Sequence, residues 1–527
     1  MKQSATVYSF LLLVPLFLLS CSRFRPDPVT APELEEHVRI LAADAMEGRM
    51  TGTGGIAAAE EYIAGAFTEY RLQPLQGSGD GAAFYQQFAL QPPVWETDTP
   101  LLLMSRGGEE EVFSFDLENY PLPGAAPTGD KGVAGEIVFA GYGIDAPEYG
   151  YNDYEHIDVE GKIVLVFRYE PNENDPDSVF DGKRHSKYAT FLYKMQTAQR
   201  KGAVGLVLLD NPLHHSGPDP YAPPAGFPGT KRYPPKESGG LPGLHVSADR
   251  IAAFYPSVDF PAIQRSIDRG KAVPELPYAE GQIILRNAGE ESAITGRNVA
   301  GYISSKGRRR GGIEAEKRLI VVGAHHDHLG MLAEGAEGDR IFNGADDNAS
   351  GVAAVLELAE HFSRRRTGAG LVFVTFSAEE LGLFGSKAIL EEIPALREKT
   401  VAMINFDMIG RNPEQQVTVH YSGTDSFRSL LKAQLPAEYE LNRRRGGMRG
   451  YISDSYMFSE YNIPAAFFFT GLHDDYHMPS DEAEMLDYGR MEEITQEAAD
   501  LIEALAGEGP PQGFRAAPQR EKVRRIP

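Results

Sequence analysis

The sequence predicts an α/β fold: a mostly parallel or mixed sheet between layers of helices, with a second, separate, small α/β domain. Between residues 298 and 507, near-continuous apolar runs alternate with helical patterns, which is typical of parallel strands that are buried on both faces. Residues 130–290 have a different sequence pattern, with short β-like runs and a loop rich in proline and glycine. The 527 residues also exceed the roughly 250–300 that one hydrophobic core usually supports.

The first 21 residues have the pattern of an export signal. Lys2 precedes an apolar run at 10–19, which is shorter than the about 20 residues of a membrane-spanning helix and typical of a signal peptide. Leu18-Leu19-Ser20-Cys21 resembles the lipobox of bacterial lipoproteins, which implies that Cys21 is acylated and begins the mature chain. We therefore expect an exported protein, lipid-anchored to a bacterial membrane at the periplasmic face or the outer membrane, with this anchor as its one membrane contact.

Charge and cysteine content exclude some classes of function. The 75 acidic residues outnumber the 51 basic ones, and the formal net charge of -24 argues against nucleic acid as a partner. Cys21 is the sole cysteine of the sequence. Neither a disulfide framework nor a thiolate metal site is therefore expected.

The elements follow from the patterns in chain order. Residues 22–31 read as a tether, and apolar side chains at helical spacing cover 32–72 on either side of a glycine-rich loop at 47–55. The small α/β domain has predicted strands at 136–140, 162–167, 205–209 and 282–285 and a helix at 188–201. The last domain has predicted strands at 318–322, 371–376, 401–406, 417–421 and 465–469, and helices at 351–364, 386–392, 426–433 and 491–506. The proline- and arginine-rich residues after 507 are expected to be disordered.

Histidines and carboxylates follow the predicted strands of the last domain. The segments are His325-His326-Asp327-His328 after the first strand, Glu379-Glu380 after the second, Asp407 after the third and a segment ending at His477 after the last, together with Asp346-Asp347 in the loop before helix 351–364. Ligands of doubly wound folds gather at the carboxyl ends of the strands. These segments are therefore expected to meet at one edge of the sheet.

Each segment alone has a structural alternative. A Glu-Glu pair is often solvated surface, Asp346-Asp347 could cap the following helix, the histidines could form a polar loop and Asp407 could be a turn residue. Five such segments at one sheet edge favour a metal site. Imidazole and carboxylate suit zinc, and also cobalt or manganese, and two adjacent dications need a shared anionic bridge. A Glu-Glu pair can supply one metal ligand and one general base.

These segments resemble the di-zinc exopeptidase family that includes secreted bacterial leucyl aminopeptidases and glutamate carboxypeptidase. The resemblance implies a zinc exopeptidase fold, with a signal peptide at 1–21, the catalytic domain at 22–130 and 291–508, an inserted protease-associated domain at 131–290 and a tail at 509–527. It also implies these roles: His325 and Asp407 as ligands of one zinc, Glu380 and His477 as ligands of the other, Asp346 as the bridge, Glu379 as the general base and Asp327 as the carboxylate that orients His325.

Other residues of these segments have weaker parallels in the family. His326, His328 and His473 are not family ligands and are interpreted as rim or outer residues. Tyr451 lies in a segment, Tyr451-Ile452-Ser453-Asp454, that resembles a looser family motif near the substrate. This tyrosine could stabilise the oxyanion of the reaction or pack structurally.

The expected function is that of a metallo-aminopeptidase with two Zn²⁺ ions, for which Co²⁺ or Mn²⁺ could substitute, acting on peptide substrates. Three alternatives stay open. A carboxypeptidase on the same scaffold would bind the substrate carboxylate through arginines, for which Arg297, Arg411, Arg443, Arg444, Arg445 and Arg449 are candidates. A glutaminyl cyclase would use one zinc, and a receptor-like binding protein would have lost the catalytic centre.

Overall fold

The computed structural model describes residues 28–507, except for 76–82, 91–99, 115–118, 123–124, 174, 176, 181–185, 211–212, 214–239, 287–293, 306–311, 332–338, 412–415, 444–452 and 474. The predicted signal peptide, Cys21, Tyr451 and the tail at 509–527 therefore lie outside the described residues. Within the described part, no helix is both long and apolar enough to cross a bilayer.

Helices begin where polar side chains cap them. Thr30, Thr190, Thr424 and Asp487 each accept a hydrogen bond from a first-turn main-chain N–H, which satisfies a donor that a helix leaves unpaired. The helices are α1 (Ala31–Leu41), α2 (Gly54–Glu69), α3 (Phe191–Arg200), α4 (Ala248–Phe254), α5 (Phe260–Asp268), α6 (Gly351–Ser363), α7 (Phe384–Glu392), α8 (Pro394–Lys399), α9 (Asp425–Gln434), α10 (Ser455–Glu460) and α11 (Tyr488–Ala506).

The strands form two large sheets and two short hairpins. They are β1 (Gln73–Pro74), β2 (Tyr85–Leu90), β3 (Pro100–Arg106), β4 (Glu109–Ser114), β5 (Asn119–Pro121), β6 (Val133–Phe139), β7 (Asp145–Ala146), β8 (Tyr151–Asn152), β9 (Ile163–Phe167), β10 (Gly205–Leu209), β11 (Gly243–Val246), β12 (Glu280–Ile283), β13 (Ile294–Ile303), β14 (Leu319–His325), β15 (Gly330–Met331), β16 (Ile341–Phe342), β17 (Gly370–Phe376), β18 (Thr400–Phe406), β19 (Thr418–Ser422), β20 (Glu440–Arg443) and β21 (Ala465–Phe469).

The larger sheet has the order β1-β13-β17-β14-β18-β21-β19-β20, and β2 pairs with β13. Its centre is parallel, since β14 pairs in parallel with β17 and β18, and β18 with β21. Both flanks introduce antiparallel pairs, β13 with β17 and β19 with β21. The predicted α/β fold with a mostly parallel or mixed sheet is thereby confirmed.

Alternate residues of the central strand enter two different hydrophobic cores. Ile320 and Val322 pack with buried side chains of α6 and α11 on one face of the sheet. Leu319 and Val321 pack with buried side chains of α7 and α8 on the other. Because both faces of β14 are covered, every residue of this strand is apolar or small until His325 ends it.

The smaller sheet has the order β4-β3-β12-β6-β9-β10-β11-β5 and its own core of buried side chains. Three of its strands, β3, β4 and β5, precede residue 131, where the inserted domain was expected to begin. They join it because β3 pairs antiparallel with β12 and β5 with β11. The division between the two sheets therefore does not fall at residue 131, and residues 100–114 and 119–121 join the smaller sheet.

Candidate metal centre

The parallel strands bring the predicted site residues to one edge of the larger sheet. His325 is the last residue of β14, Glu379 and Glu380 follow β17, and Asp407 directly follows β18. His477 lies in the segment after β21. Carboxyl ends of parallel strands point the same way, which places these side chains together as predicted.

The side chains form two groups that share Asp347. His325, Asp347 and Asp407 each offer one ligand atom within 4.8 Å of the others, and so do His328, Asp347, Glu380 and His477. Asp347 Oδ1 lies 3.2 Å from His325 Nε2, and Asp347 Oδ2 lies 3.0 Å from His477 Nε2. One oxygen of this carboxylate thus faces each group, and the two groups share Asp347.

The spacing of the ligand atoms fits zinc. Ligands about 2.0–2.1 Å from a tetrahedral zinc are about 3.3 Å from one another. In the first group His325 Nε2 is 3.3 Å from Asp407 Oδ1, and in the second His477 Nε2 is 3.2 Å from Glu380 Oε1. Carboxylates buried this closely together require a compensating positive charge, which two dications would supply.

The structure contradicts the prediction that Asp346 is the bridging ligand. Asp346 Oδ1 accepts a hydrogen bond from Gly410 N at 2.6 Å, and its Oδ2 lies 3.1 Å from His473 Nε2. Asp346 therefore joins the loop after β18 to the loop after β21, and Asp347 takes the shared position. The two aspartates lie in an irregular turn, in which Asp347 has non-helical φ and ψ angles of -108° and 90°, so their side chains diverge.

Asp327 contacts the main chain of the glutamate pair as well as His325. Its Oδ1 and Oδ2 accept hydrogen bonds from Glu379 N at 3.0 Å and from Glu380 N at 3.2 Å. The nearest contact of His325 Nδ1 in this segment is the Asp327 main-chain oxygen at 3.1 Å, while Asp327 Oδ1 is 3.8 Å away. The Asp327 carboxylate is thus an ion-pair neighbour of His325 without a direct hydrogen bond to it, and the orientation of His325 by this carboxylate stays a prediction.

Glu379 is buried beside the ligands without belonging to either group. Burial raises the pKa of Glu379 well above its usual range, against the opposing effect of His325, and the negative charges of Glu380 and Asp407 raise the pKa further. A carboxylate with a raised pKa holds a proton more readily, as a residue that accepts one from water must.

The three histidines interpreted as outer residues have three different environments. His326 is buried outside both groups, with Nε2 3.7 Å from Glu60 Oε1. His473 contacts Asp346. His328 is buried and lies within the second group, with Nδ1 3.2 Å from Glu380 Oε1, so it is not at the rim, while its interpretation as an outer residue stays a prediction.

Two charged residues distant in sequence hold the ligand segments in place, and sequence reasoning missed both. The buried Asp481 carboxylate accepts hydrogen bonds from the main-chain N–H groups of Asp346 and Asp347, each at 3.0 Å. Arg49, also buried, lies in the glycine-rich loop predicted at 47–55 and donates only to main-chain oxygens. These are His326 O at 2.9 Å, Leu41 O at 2.6 Å, Asn343 O at 2.7 Å and Gly344 O at 2.8 Å.

Replacing Arg49 by Met is expected to lower the free energy of unfolding by about 3 kcal/mol or more, because four buried carbonyl groups lose a charged donor. Burial lowers the pKa of Arg49 to about 10, so the guanidinium is still charged at neutral pH. Urea unfolding followed by circular dichroism measures the change. Arg39, whose side chain is 44% exposed and pairs with Glu35, is the matched control. Arg39→Met should lower the free energy of unfolding by less than about 1 kcal/mol. An equal decrease in the free energy of unfolding in the two variants would contradict the role given to Arg49.

Two segments of the chain match known families. Residues 298–502 match the model of Peptidase family M28, and residues 133–253 match that of the PA domain. The first match contains all residues of the two ligand groups, and the second lies within the region of the smaller sheet.

Similar proteins of known annotation include peptidases. A probable zinc metalloprotease of Pyrenophora teres f. teres (strain 0-1) is 36% identical over 107 residues, which are 20% of this chain and 23% of that protein. A probable lipoprotein aminopeptidase of Mycobacterium tuberculosis, LpqL, is 24% identical over 371 residues, covering 70% of this chain and 56% of the relative. The alignments thus span less than two thirds of either relative.

Among solved structures, the aminopeptidase from Aneurinibacillus sp. strain AM-1 has the same fold. Its TM-score is 0.54 at 20% sequence identity, with 93% of this chain and 96% of that chain covered. The family matches support the predicted zinc exopeptidase family and a metal-dependent peptidase function, and the solved structure shows the fold.

Proposed function

We propose that this chain is an aminopeptidase that removes amino-terminal residues from peptides and uses two zinc ions, for which Co²⁺ or Mn²⁺ could substitute. The observation that carries the proposal is the position of Asp347, which offers one carboxylate oxygen to each of two ligand groups. His325 and Asp407 complete one group, and Glu380 and His477 belong to the other.

Two zinc ions in these groups would polarise the scissile carbonyl and acidify a water molecule. With zinc bound, Glu379 would accept a proton from the water and donate it to the departing amine nitrogen. The hydrogen bonds from Glu379 N and Glu380 N to Asp327 fix the main chain of this pair. Glu380 would then bind metal while Glu379 transfers the proton.

The arginines favour an aminopeptidase over a carboxypeptidase. A carboxypeptidase needs a cation that is free to bind the substrate carboxylate. Each candidate arginine within the described residues already contacts an acidic side chain: Arg297 contacts Glu60, Arg411 contacts Asp475 at 2.8 Å and Arg443 contacts Asp425 at 2.8 Å. Arg444, Arg445 and Arg449 lie outside the described residues.

Peptides blocked at one end test this direction of attack. The chain beginning at Ser22, loaded with zinc, is expected to shorten a peptide with a free amine and an amidated carboxyl end. An acetylated peptide with a free carboxyl end should stay intact, since it lacks the amine. Mass spectrometry identifies the products, and a chelator should abolish the cleavage. Cleavage of the acetylated peptide from its carboxyl end would make the protein a carboxypeptidase.

The remaining alternatives predict other products. A glutaminyl cyclase would convert amino-terminal glutamine to pyroglutamate without shortening the peptide, and two complete ligand groups disfavour its one-zinc centre. A receptor-like protein would neither retain zinc nor cleave either peptide.

The membrane anchor is part of the proposal. Acylation of Cys21 would hold the protein on a bacterial membrane, at the periplasmic face or the outer membrane, where it would meet exported peptides. LpqL, the relative from Mycobacterium tuberculosis, is named as a probable lipoprotein aminopeptidase, which supports this arrangement.

Replacing Cys21 by Ser is expected to shift the expressed full chain from the membrane fraction to the soluble fraction. The variant should also no longer incorporate labelled fatty acid. Serine has no thiol to acylate, while the apolar run at 10–19 that directs export is unchanged. Ser20→Ala, beside the same position, is the matched control and should leave the label in place. Unchanged fatty-acid labelling of the Cys21→Ser chain would exclude Cys21 as the anchor.

A further inference from the structure

We propose that His328 is itself a metal ligand, which makes the two metal positions unequal. The position beside His477 would be closed by four protein ligands, and the position beside His325 would be left open with three. This inference rests on the proposed two-metal function and adds to it a ligand and a division of roles.

The first observation is that His328 faces the same two oxygens as His477. His477 Nε2 lies 3.0 Å from Asp347 Oδ2 and 3.2 Å from Glu380 Oε1. His328 Nδ1 lies 3.9 Å and 3.2 Å from these two atoms. These four separations, 3.0–3.9 Å, lie around the about 3.3 Å between two ligands of a tetrahedral zinc, and one ligand atom of each of the four residues lies within 4.8 Å of the others.

The second observation is that the imidazole of His328 is held in this orientation. The ring is completely buried, and a Cβ atom at Gly344 would lie 2.5 Å from its Cδ2, so the ring fits against the bare main chain there. Its edge packs on the ring of His477, with centroids 5.6 Å apart and planes at 70°. The main-chain N–H of His328 donates to Arg49 O at 3.2 Å. Nδ1 therefore stays turned toward the second group.

The other position has fewer protein donors. Among the described residues, its group consists of His325, Asp347 and Asp407. Closed four-ligand zinc sites are typically structural, whereas catalytic sites have three protein ligands and one free position. We therefore assign water and substrate binding to the side of His325, and tight metal retention to the side of His477.

A hydrogen bond from His328 to Glu380 is the competing role, and the variant His328→Asn separates the two. An Asn side chain keeps an N–H donor near the position of Nδ1 but is a poor zinc ligand. If His328 only orients Glu380, Asn should restore the wild-type behaviour. If His328 binds the metal, Asn should behave like Ala.

The experiment titrates the metal-free chain, beginning at Ser22, with Co²⁺ and follows visible absorption and bound metal. The wild type should bind two ions, the tighter one with the intense absorption of four-coordinate cobalt. His328→Ala and His328→Asn should both lose that absorption. Their affinity for the more tightly bound Co²⁺ ion should fall by more than about 100-fold, beyond the about 10–100-fold that an outer hydrogen bond contributes. The weaker ion should be little changed. If His328→Ala does not fold, Co²⁺ binding by His328→Asn is compared with that of the wild type instead.

His326 supplies the matched control, because it is equally buried, lies two residues earlier in the sequence and is outside both groups. His326→Gln should bind both ions as the wild type does. Wild-type affinity and absorption in His328→Asn would overturn the ligand assignment while leaving two metals in place. A wild-type chain that binds fewer than two ions would instead remove the proposed function on which this inference rests.

Discussion

Replacing Glu379 by Gln is expected to lower kcat by about 100- to 10,000-fold while both zinc ions stay bound. Gln has nearly the shape of Glu but cannot accept the proton of the attacking water. Glu379 belongs to neither ligand group, so the change should leave metal binding intact. Steady-state kinetics on an amidated peptide and zinc analysis of the same sample measure the two effects together.

Glu61 provides the control for this substitution. It is the exposed second member of another Glu-Glu pair, Glu60-Glu61 on α2, and Glu61→Gln should leave kcat unchanged. Full activity in Glu379→Gln would rule out the assigned base. Loss of activity together with loss of zinc would make Glu379 a ligand rather than a base.

Replacing Asp347 by Asn is expected to remove activity and to leave the purified chain with one zinc ion or none. The carboxylate contributes to both groups, with Oδ1 3.2 Å from His325 Nε2 and Oδ2 3.0 Å from His477 Nε2. A neutral amide cannot bridge two dications through two anionic oxygens. Zinc content after dialysis, measured by mass spectrometry, reports the loss directly.

Asp346→Asn is the matched control, since it makes the same chemical change one residue earlier. Its amide keeps an oxygen for Gly410 N and an N–H group for His473, so both zinc ions should be retained. Loss of both ions in Asp346→Asn, with retention in Asp347→Asn, would reverse the assignment of the bridge.

The sequence predicts the sheet centre and the meeting point of the ligands because both follow from local patterns. β14, β17, β18 and β21 are continuous apolar runs, and the residues that follow parallel strands must gather at one edge. The four terminal ligands proposed from the sequence, His325, Glu380, Asp407 and His477, accordingly lie in the two groups that the structure brings together.

The differences between the predictions from the sequence and the structure concern features that local sequence patterns do not determine. Asp346 and Asp347 are adjacent carboxylates, and an irregular turn decides which of them faces the ligands. His328 ends a polar loop whose path depends on contacts of its main chain with Arg49 and of its ring with Gly344. The placement of β3, β4 and β5 in the smaller sheet rests on antiparallel pairs between residues far apart in sequence. Residues such as Arg49 and Asp481 act through main-chain groups of distant segments, which no sequence motif marks.

X-ray data collected on both sides of the zinc absorption edge, from crystals grown with zinc, test the two-metal centre most directly. We expect two anomalous peaks, one between Asp347 Oδ1 and His325 and the other between Asp347 Oδ2 and His477. A single peak, or a pair of peaks bridged by Asp346, would contradict the account.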